Sequence, residues 1–581
     1  MRRQACVLAL LAATACHGEE AQHTAGLSPD AGRTPQAATL GSAGLEATLR
    51  RQRLSNAVAY IPPQCFTKTR PVGAGAAKNP CYVCHTDAPP PNFVSDGDLQ
   101  VTLSLPRAAA DNPWTNLFRP PETSGSRASD EDVLAYVRRS NYFDGDGDIA
   151  LARALRSPPA AWDVDGDGAW SGYQPDVWFK FDDRGFDHRS DGAPTGWRAF
   201  AYYPFPGTFF PTNGSTDDVL IRLDPRLQED RTGRFDARVY ETNLAIVEAL
   251  LARRDVPIDP VDEAALGVDL DLDGHLGKAT RVAFDEAPDG KGTTRMHYAG
   301  KAGEAEAAGQ FPIASGLFPL GTEFFHTVRY LDLDASGVVT MAPRMKEVRY
   351  ARKVSYLTYE ALRGRAAADV REQARSRDGS RRINWQGERG IDNGQGWIFQ
   401  GFIEDKDGSL RPQSREETVF CAGCHGGIGA TADAIFSFPR KLGASEAARG
   451  WFHWSQRGLR GLPEPKRSDG RYEYSLYLEQ AGAGDELREN TEVLHRFFDE
   501  RSALRPDEVR LLHGDVARLL LPSAGRALDL DRAYRAIVEA QAFDRGRDAV
   551  LAPSKSVYEA PPLGQPTGVR AAVAAARLRV Q

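Results

Sequence analysis

Residues 79–91 read NPCYVCHTDAPPP, and the frame Cys81-Tyr82-Val83-Cys84-His85 inside them returns 340 positions later. There, within ETVFCAGCHGGIG (417–429), it is Cys421-Ala422-Gly423-Cys424-His425. The chain has only seven cysteines in 581 residues, and four of them lie in these two frames. What the repeated spacing serves decides how the rest of the chain is read.

The first 16 residues say where the chain works. MRRQ supplies two arginines, ACVLALLAATA is a short apolar run, and Ala13-Thr14-Ala15 precede Cys16. That is the plan of an export signal, and the run is too short to span a bilayer. Small residues directly before a cysteine resemble a bacterial lipobox, which implies lipidation of Cys16 after cleavage. No later stretch reaches the roughly 18 consecutive apolar residues of a membrane span. An exported chain meets an oxidising compartment, where cysteines pair or hold a cofactor. Residues 17–55, rich in Ala, Gly, Thr and Ser, read as a flexible tether.

In that compartment the Cys-x-x-Cys-His spacing has a mechanical meaning. Two thiols three positions apart each reach one vinyl group of a haem, and the next histidine is placed to bind the iron. A thioredoxin-like pair shares the cysteine spacing but needs no histidine and follows a strand of a βαβ unit, which neither copy does. A zinc site wants a second pair close by. CYVCH and CAGCH thus resemble the attachment motifs of c-type cytochromes. The resemblance implies two covalent haem c groups, on Cys81/Cys84 and Cys421/Cys424, with His85 and His425 as proximal ligands. Cys65 is left over and reads as a buried, inert thiol.

Distal ligands in cytochromes are usually Met or His. The four methionines are Met1, Met296, Met341 and Met345, and none follows His425. A downstream ligand for the second haem is therefore a histidine. His453, between Phe452 and Trp454, suits a haem face better than His495 or His513. For the first haem, His326 in GTEFFHTVRYL and Met345 in VVTMAPRMKEV lead a longer set. An open, five-coordinate iron stands as the alternative.

Between the motifs the chain is punctuated by aspartates: 144/146/148, 163/165/167, 269/271/273 and 332/334. Asp-x-Asp-x-Asp-Gly sets three oxygen ligands on one side of a loop that turns at the glycine, as Ca²⁺ requires. Asp163, Asp165 and Asp167 form the best copy and resemble the first half of an EF-hand loop. Position 12, however, is Gln174 and not the bidentate glutamate. The other reading is a set of ordinary Asp/Gly surface turns.

The expected fold class is α+β and loop-rich, in keeping with 55 glycines and 37 prolines. Helical, cytochrome c-like haem regions are expected at 56–135 and, mostly helical, at 351–581. A mixed, Asp-rich region fills 136–350, after the signal and lipobox at 1–16 and the tether. Strands are expected at VWFKF, WRAFAYYPF and DDVLIRL, and helices after Ser129, at 234–253 and in the C-terminal third. The net charge of −7 gives no footprint for nucleic acid. Contact with a membrane is expected through the lipid alone.

The function expected is a dihaem c-type cytochrome passing electrons between redox partner proteins of the cell envelope. Its alternatives are an oxidoreductase of the dihaem cytochrome c peroxidase/MauG group or of the haem dioxygenase type, and a calcium-stabilised binding module. The motifs stand further apart than in the dihaem peroxidases, so no catalytic residue carries over from them. His17, not Asp, follows Cys16, which by resemblance to Gram-negative lipoproteins points to the outer membrane.

Overall fold

The computed structural model describes residues 62–67, 111–119, 128–206, 211–285, 294–375, 383–425, 431–443, 447–467, 469–481 and 490–560, with two-residue strands at 86–87, 102–103, 565–566 and 573–574. Its centre is one nine-stranded antiparallel sheet. In chain order the strands are β1 (Phe186–His188), β2 (Pro194–Ala199), β3 (Thr216–Arg222), β4 (Glu323–Leu333), β5 (Val339–Lys353), β6 (Asn384–Trp385), β7 (Ile391–Asp392), β8 (Trp397–Glu404) and β9 (Leu410–Pro412). Across the sheet they run β6-β7-β8-β5-β4-β3-β2-β1, and β9 pairs with β8.

Each long strand alternates large apolar residues between two faces, so both faces are covered. Ile221, Phe324, Ala351, Trp397 and Phe399 enter one core with α2 (Ala237–Ala252) and with Val419 and Ala422 of α3 (Arg415–Cys424). Leu220, Phe325, Val348, Tyr350 and Phe402 enter the other, with Tyr142, Trp170 and Trp197. A third cluster joins Tyr474, Leu478, Phe497, Leu512 and Leu519 of the C-terminal helices to Ala201 and Tyr203.

The helix starts follow local chemistry. Ser129 and Asp132 form a complete capping box at α1 (Asp130–Val137), and the Asp236 carboxylate accepts the Arg238 and Val239 N–H groups at the start of α2. At α3 the Ser414 hydroxyl accepts the Glu417 N–H while Glu417 Oε2 accepts the Ser414 N–H at 2.7 Å. The same carboxylate takes a two-pronged contact from Arg411, with Nη1 and Nη2 both at 2.9 Å.

The expectation of helical, cytochrome-like haem regions is corrected. The 351–581 segment, expected to be mostly helical, contributes four strands and the end of β5 to the central sheet. α3 packs on β7 and β8 and not within a helical bundle. Within GWIFQGFIEDKDGSLRP the strands β8 and β9 form a hairpin, and β8 also lies along β5 over seven residue pairs. Pairing of that kind between distant strands leaves no local trace. VWFKF is not a strand. The N–H groups of Trp178 and Lys180 are taken by the Asp187 carboxylate, both at 2.9 Å, instead of a ladder.

Candidate functional site

The second Cys-x-x-Cys-His frame closes α3. Cys421 is buried in the last turn, and His425 is the C-cap, its N–H donating to the Cys421 carbonyl at 3.2 Å. His425 Nδ1 lies 2.9 Å from the Ala434 carbonyl, and Asn393 Nδ2 donates to the His425 carbonyl at 3.0 Å. The ring packs at 5.0 Å from Phe399 and 5.3 Å from Phe436. Burial pushes its pKa down to about 4, and Arg349 adds to the effect. A half-buried imidazole whose Nδ1 is held by a carbonyl is fixed in the tautomer that offers Nε2 to a metal. Burial likewise raises the Cys421 thiol above its ordinary value.

This donor set fits a covalently held haem: an apolar wall of Phe399 and Phe436, a buried thiol, and an imidazole oriented from behind. The Cys424 side chain lies outside the described residues, as do Cys81, Cys84 and His85 of the first frame and Cys16. Cys65 packs half-buried against the main core.

Of the expected distal residues, His326 is one on which the charge of His425 acts. It stands on β4 opposite Arg349 of β5, which stands opposite Gly401 of β8, two residues from Phe399. Burial lowers His326 to about 4, and the charges of Arg349 and His425 reach it from the same face. Its ring hydrogen-bonds to the Asp218 backbone, and Nε2 lies 3.9 Å from Asp217 Oδ2. Burial raises Asp217 to about 7, against the Tyr202 hydrogen bond. The structure thus brings together Cys421, His425, His326, Arg349 and Asp217, where the sequence had placed His326 with the other motif.

His453 and Met345 lie elsewhere. His453 is 3% exposed, with Nε2 2.8 Å from Asp218 Oδ2 and Nδ1 accepting the Ser455 N–H at 3.1 Å. Its ring stacks on Phe181 at 4.6 Å. Burial acts to raise Asp218, but the hydrogen bond and charge of His453 outweigh it and hold the carboxyl at about 2. Met345 is buried with Phe325, Val348 and Tyr350, on the face opposite α3. Sequence reasoning missed Arg349 and Asp217. A signal existed for the second: two adjacent carboxylates head the strand DDVLIRL, ahead of Val219, Leu220 and Ile221.

The aspartate loops are also more complete than their spacing. Asp163, Asp165 and the buried Glu388 present carboxylate oxygens within 4.8 Å of one another, as do Glu263, Asp269 and Asp271. The two loops share one hydrogen-bond plan. Glu388 accepts from Val164 and Ser171, and Glu263 accepts from Leu270 and Gly277 at the equivalent positions. Gly168 N–H donates to Asp163 as Gly274 N–H donates to Asp269. Asp167, the third aspartate of the best copy, instead accepts the Ala169 N–H at 2.8 Å.

A family model described as a "-like lipoprotein" matches residues 49–514, most of the chain. The chain belongs to this lipoprotein family. It is also 31% identical over 553 residues to an "Uncharacterized lipoprotein" of Aquifex aeolicus (strain VF5), covering 88% of each chain. No solved structure matches the lipoprotein. Membership implies export and attachment to a membrane through lipid. Among the described residues no helix of the lipoprotein is long and apolar enough to cross a membrane.

Proposed function

We propose that this lipoprotein is a dihaem c-type cytochrome that transfers electrons to and from redox partner proteins in the cell envelope, with one haem c on Cys81, Cys84 and His85 and the other on Cys421, Cys424 and His425. The observation that carries the reading is the seating of His425. It closes the helix that bears Cys421, its Nδ1 is held by Ala434, and Phe399 and Phe436 wall the ring. Haem bound there supplies one-electron redox chemistry. The chain's own part is to hold the imidazole in one tautomer, to wall it with Phe399 and Phe436, and to set Arg349 close by.

Ca²⁺ at Asp163, Asp165 and Glu388 is part of the same proposal. It would offset clustered carboxylates and fix the loop against the β6–β7 segment that carries Glu388. The lipid on Cys16 would tether the molecule to the outer membrane, since His17 follows it.

The test is haem content. Full-length protein made in a host with the covalent attachment machinery is expected to carry two haems per chain by pyridine haemochrome assay. Peptide masses should show haem on the segment containing Cys421 and Cys424. The double substitution Cys421→Ser/Cys424→Ser should halve the haem. A chain that leaves that host without covalent haem overturns the proposal.

A further inference from the structure

We propose that His326 is the axial ligand on the side of the second haem's iron opposite His425, so that a β-sheet closes this site. The inference rests on the reading of Cys421, Cys424 and His425 as a haem site. Strand alternation sends Phe325 into the cluster on one sheet face and Phe324 into the cluster on the other. His326 shares the Phe324 side, since neighbouring residues of a strand alternate. That is the side on which α3 packs and on which Phe399 meets His425. The register then sets the span. His326 stands opposite Arg349, and Arg349 opposite Gly401, so β4 and β8 are two interstrand steps apart, about 10 Å. His425 stands off the sheet at the end of α3 on this same side, and its charge and that of Arg349 both act on His326, while Arg349 also acts on His425.

The surroundings suit a ligand more than a core histidine. Its side chain keeps 20% exposure, and the Asp218 backbone and the Asp217 carboxylate stand beside the ring and orient it. A carbonyl or carboxylate behind a ligating imidazole is the usual means of fixing its orientation. The other expected ligands are committed elsewhere. Both nitrogens of His453 are engaged by Asp218 and Ser455, and Met345 lies across the sheet. With two histidines the iron is closed, which favours electron transfer over peroxide or oxygen chemistry.

The experiment is ferric EPR and absorption of the full-length, haem-loaded protein, beside His326→Ala and His326→Met. In the wild type at least one haem should be low-spin. His326→Ala should convert one haem per chain to high-spin, let its ferrous form bind one further equivalent of CO, and return to low-spin on adding imidazole. His326→Met should stay low-spin with a raised potential. A His326→Ala protein carrying haem on the Cys421 peptide with an unchanged spectrum overturns the inference. So does a wild type whose two ferric haems are both high-spin, which needs no variant to fold. Absence of haem from the Cys421 peptide sinks the underlying site reading instead, and peptide mass tells the two failures apart.

Discussion

Glu388 accepts the N–H of Val164 at 3.0 Å and that of Ser171 at 2.6 Å, and so closes an aspartate loop that lies 224 positions earlier in the chain. The glutamate missing from position 12 of that loop is thereby met by a buried carboxylate from another part of the fold. Glu388→Gln keeps the shape and removes the charge. Hydrogen bonds to a charged group contribute about 1.5–3 kcal/mol each, so a loss of about 2 kcal/mol is expected. Thermal unfolding with and without a calcium chelator checks it. The chelator should lower the wild-type Tm and move the variant much less. An equal response in both would show that Glu388 takes no part in holding an ion.

His453→Ala removes the closest charged partner of the buried Asp218 and leaves it with Arg329 at 3.6 Å and the Thr327 N–H. Breaking a buried pair from one side costs about 3–5 kcal/mol, measurable as a lower urea midpoint. The haem spectrum should not change, because both nitrogens of His453 serve the protein. Low-spin haem lost in this variant would return His453 to the role of ligand. The pH dependence has a defined sign. Asp218 is held at about 2, below its ordinary 3.8, so its contribution is complete above about pH 4 and fades as the pH falls toward 2. Asp218→Asn should flatten that acid limb.

Asp531 behaves in the opposite sense. Burial raises its carboxyl to about 8, with Lys346 only partly opposing. Its protonated form is the one the fold favours, so its own contribution to stability is complete below about pH 4 and declines as the pH climbs to about 8. Each pKa unit corresponds to about 1.4 kcal/mol. Asp531→Asn should unfold at a higher temperature than the wild type at pH 8 and at the same temperature near pH 4. A constant gap across that range would mean that ionisation of Asp531 is not its cause.

Arg411 and Glu417 anchor the helix that ends in the second motif. Burial acts to raise the Glu417 carboxyl, and Arg411 outweighs it. Arg411→Met should cost about 3–5 kcal/mol by stranding that charge. Ser414→Ala, which removes only half of the capping box, should cost about 1 kcal/mol. Hydrogen exchange across residues 415–424 should rise more in the first variant than in the second. The reverse order would place the weight on the cap.

Several parts of this protein are legible from the chain alone. The two Cys-x-x-Cys-His frames and the lipobox-like Ala-Thr-Ala-Cys are patterns of near neighbours in the chain, and the helix start at Ser129 is set by hydrogen bonds a few residues long. Periodicity was enough to place α2 within three residues of its expected bounds at either end. The nine-stranded sheet was not legible, because its order depends on β8 finding β5 and β5 finding β4, and a strand's own sequence does not name its neighbour. The same holds at the site. Cys421 and His425 are bound to meet by their spacing. That His326 shares their face, that His453 is held by Asp218, and that Glu388 completes a loop begun at Asp163 were decided by strand register and burial, which exist only once the chain has folded.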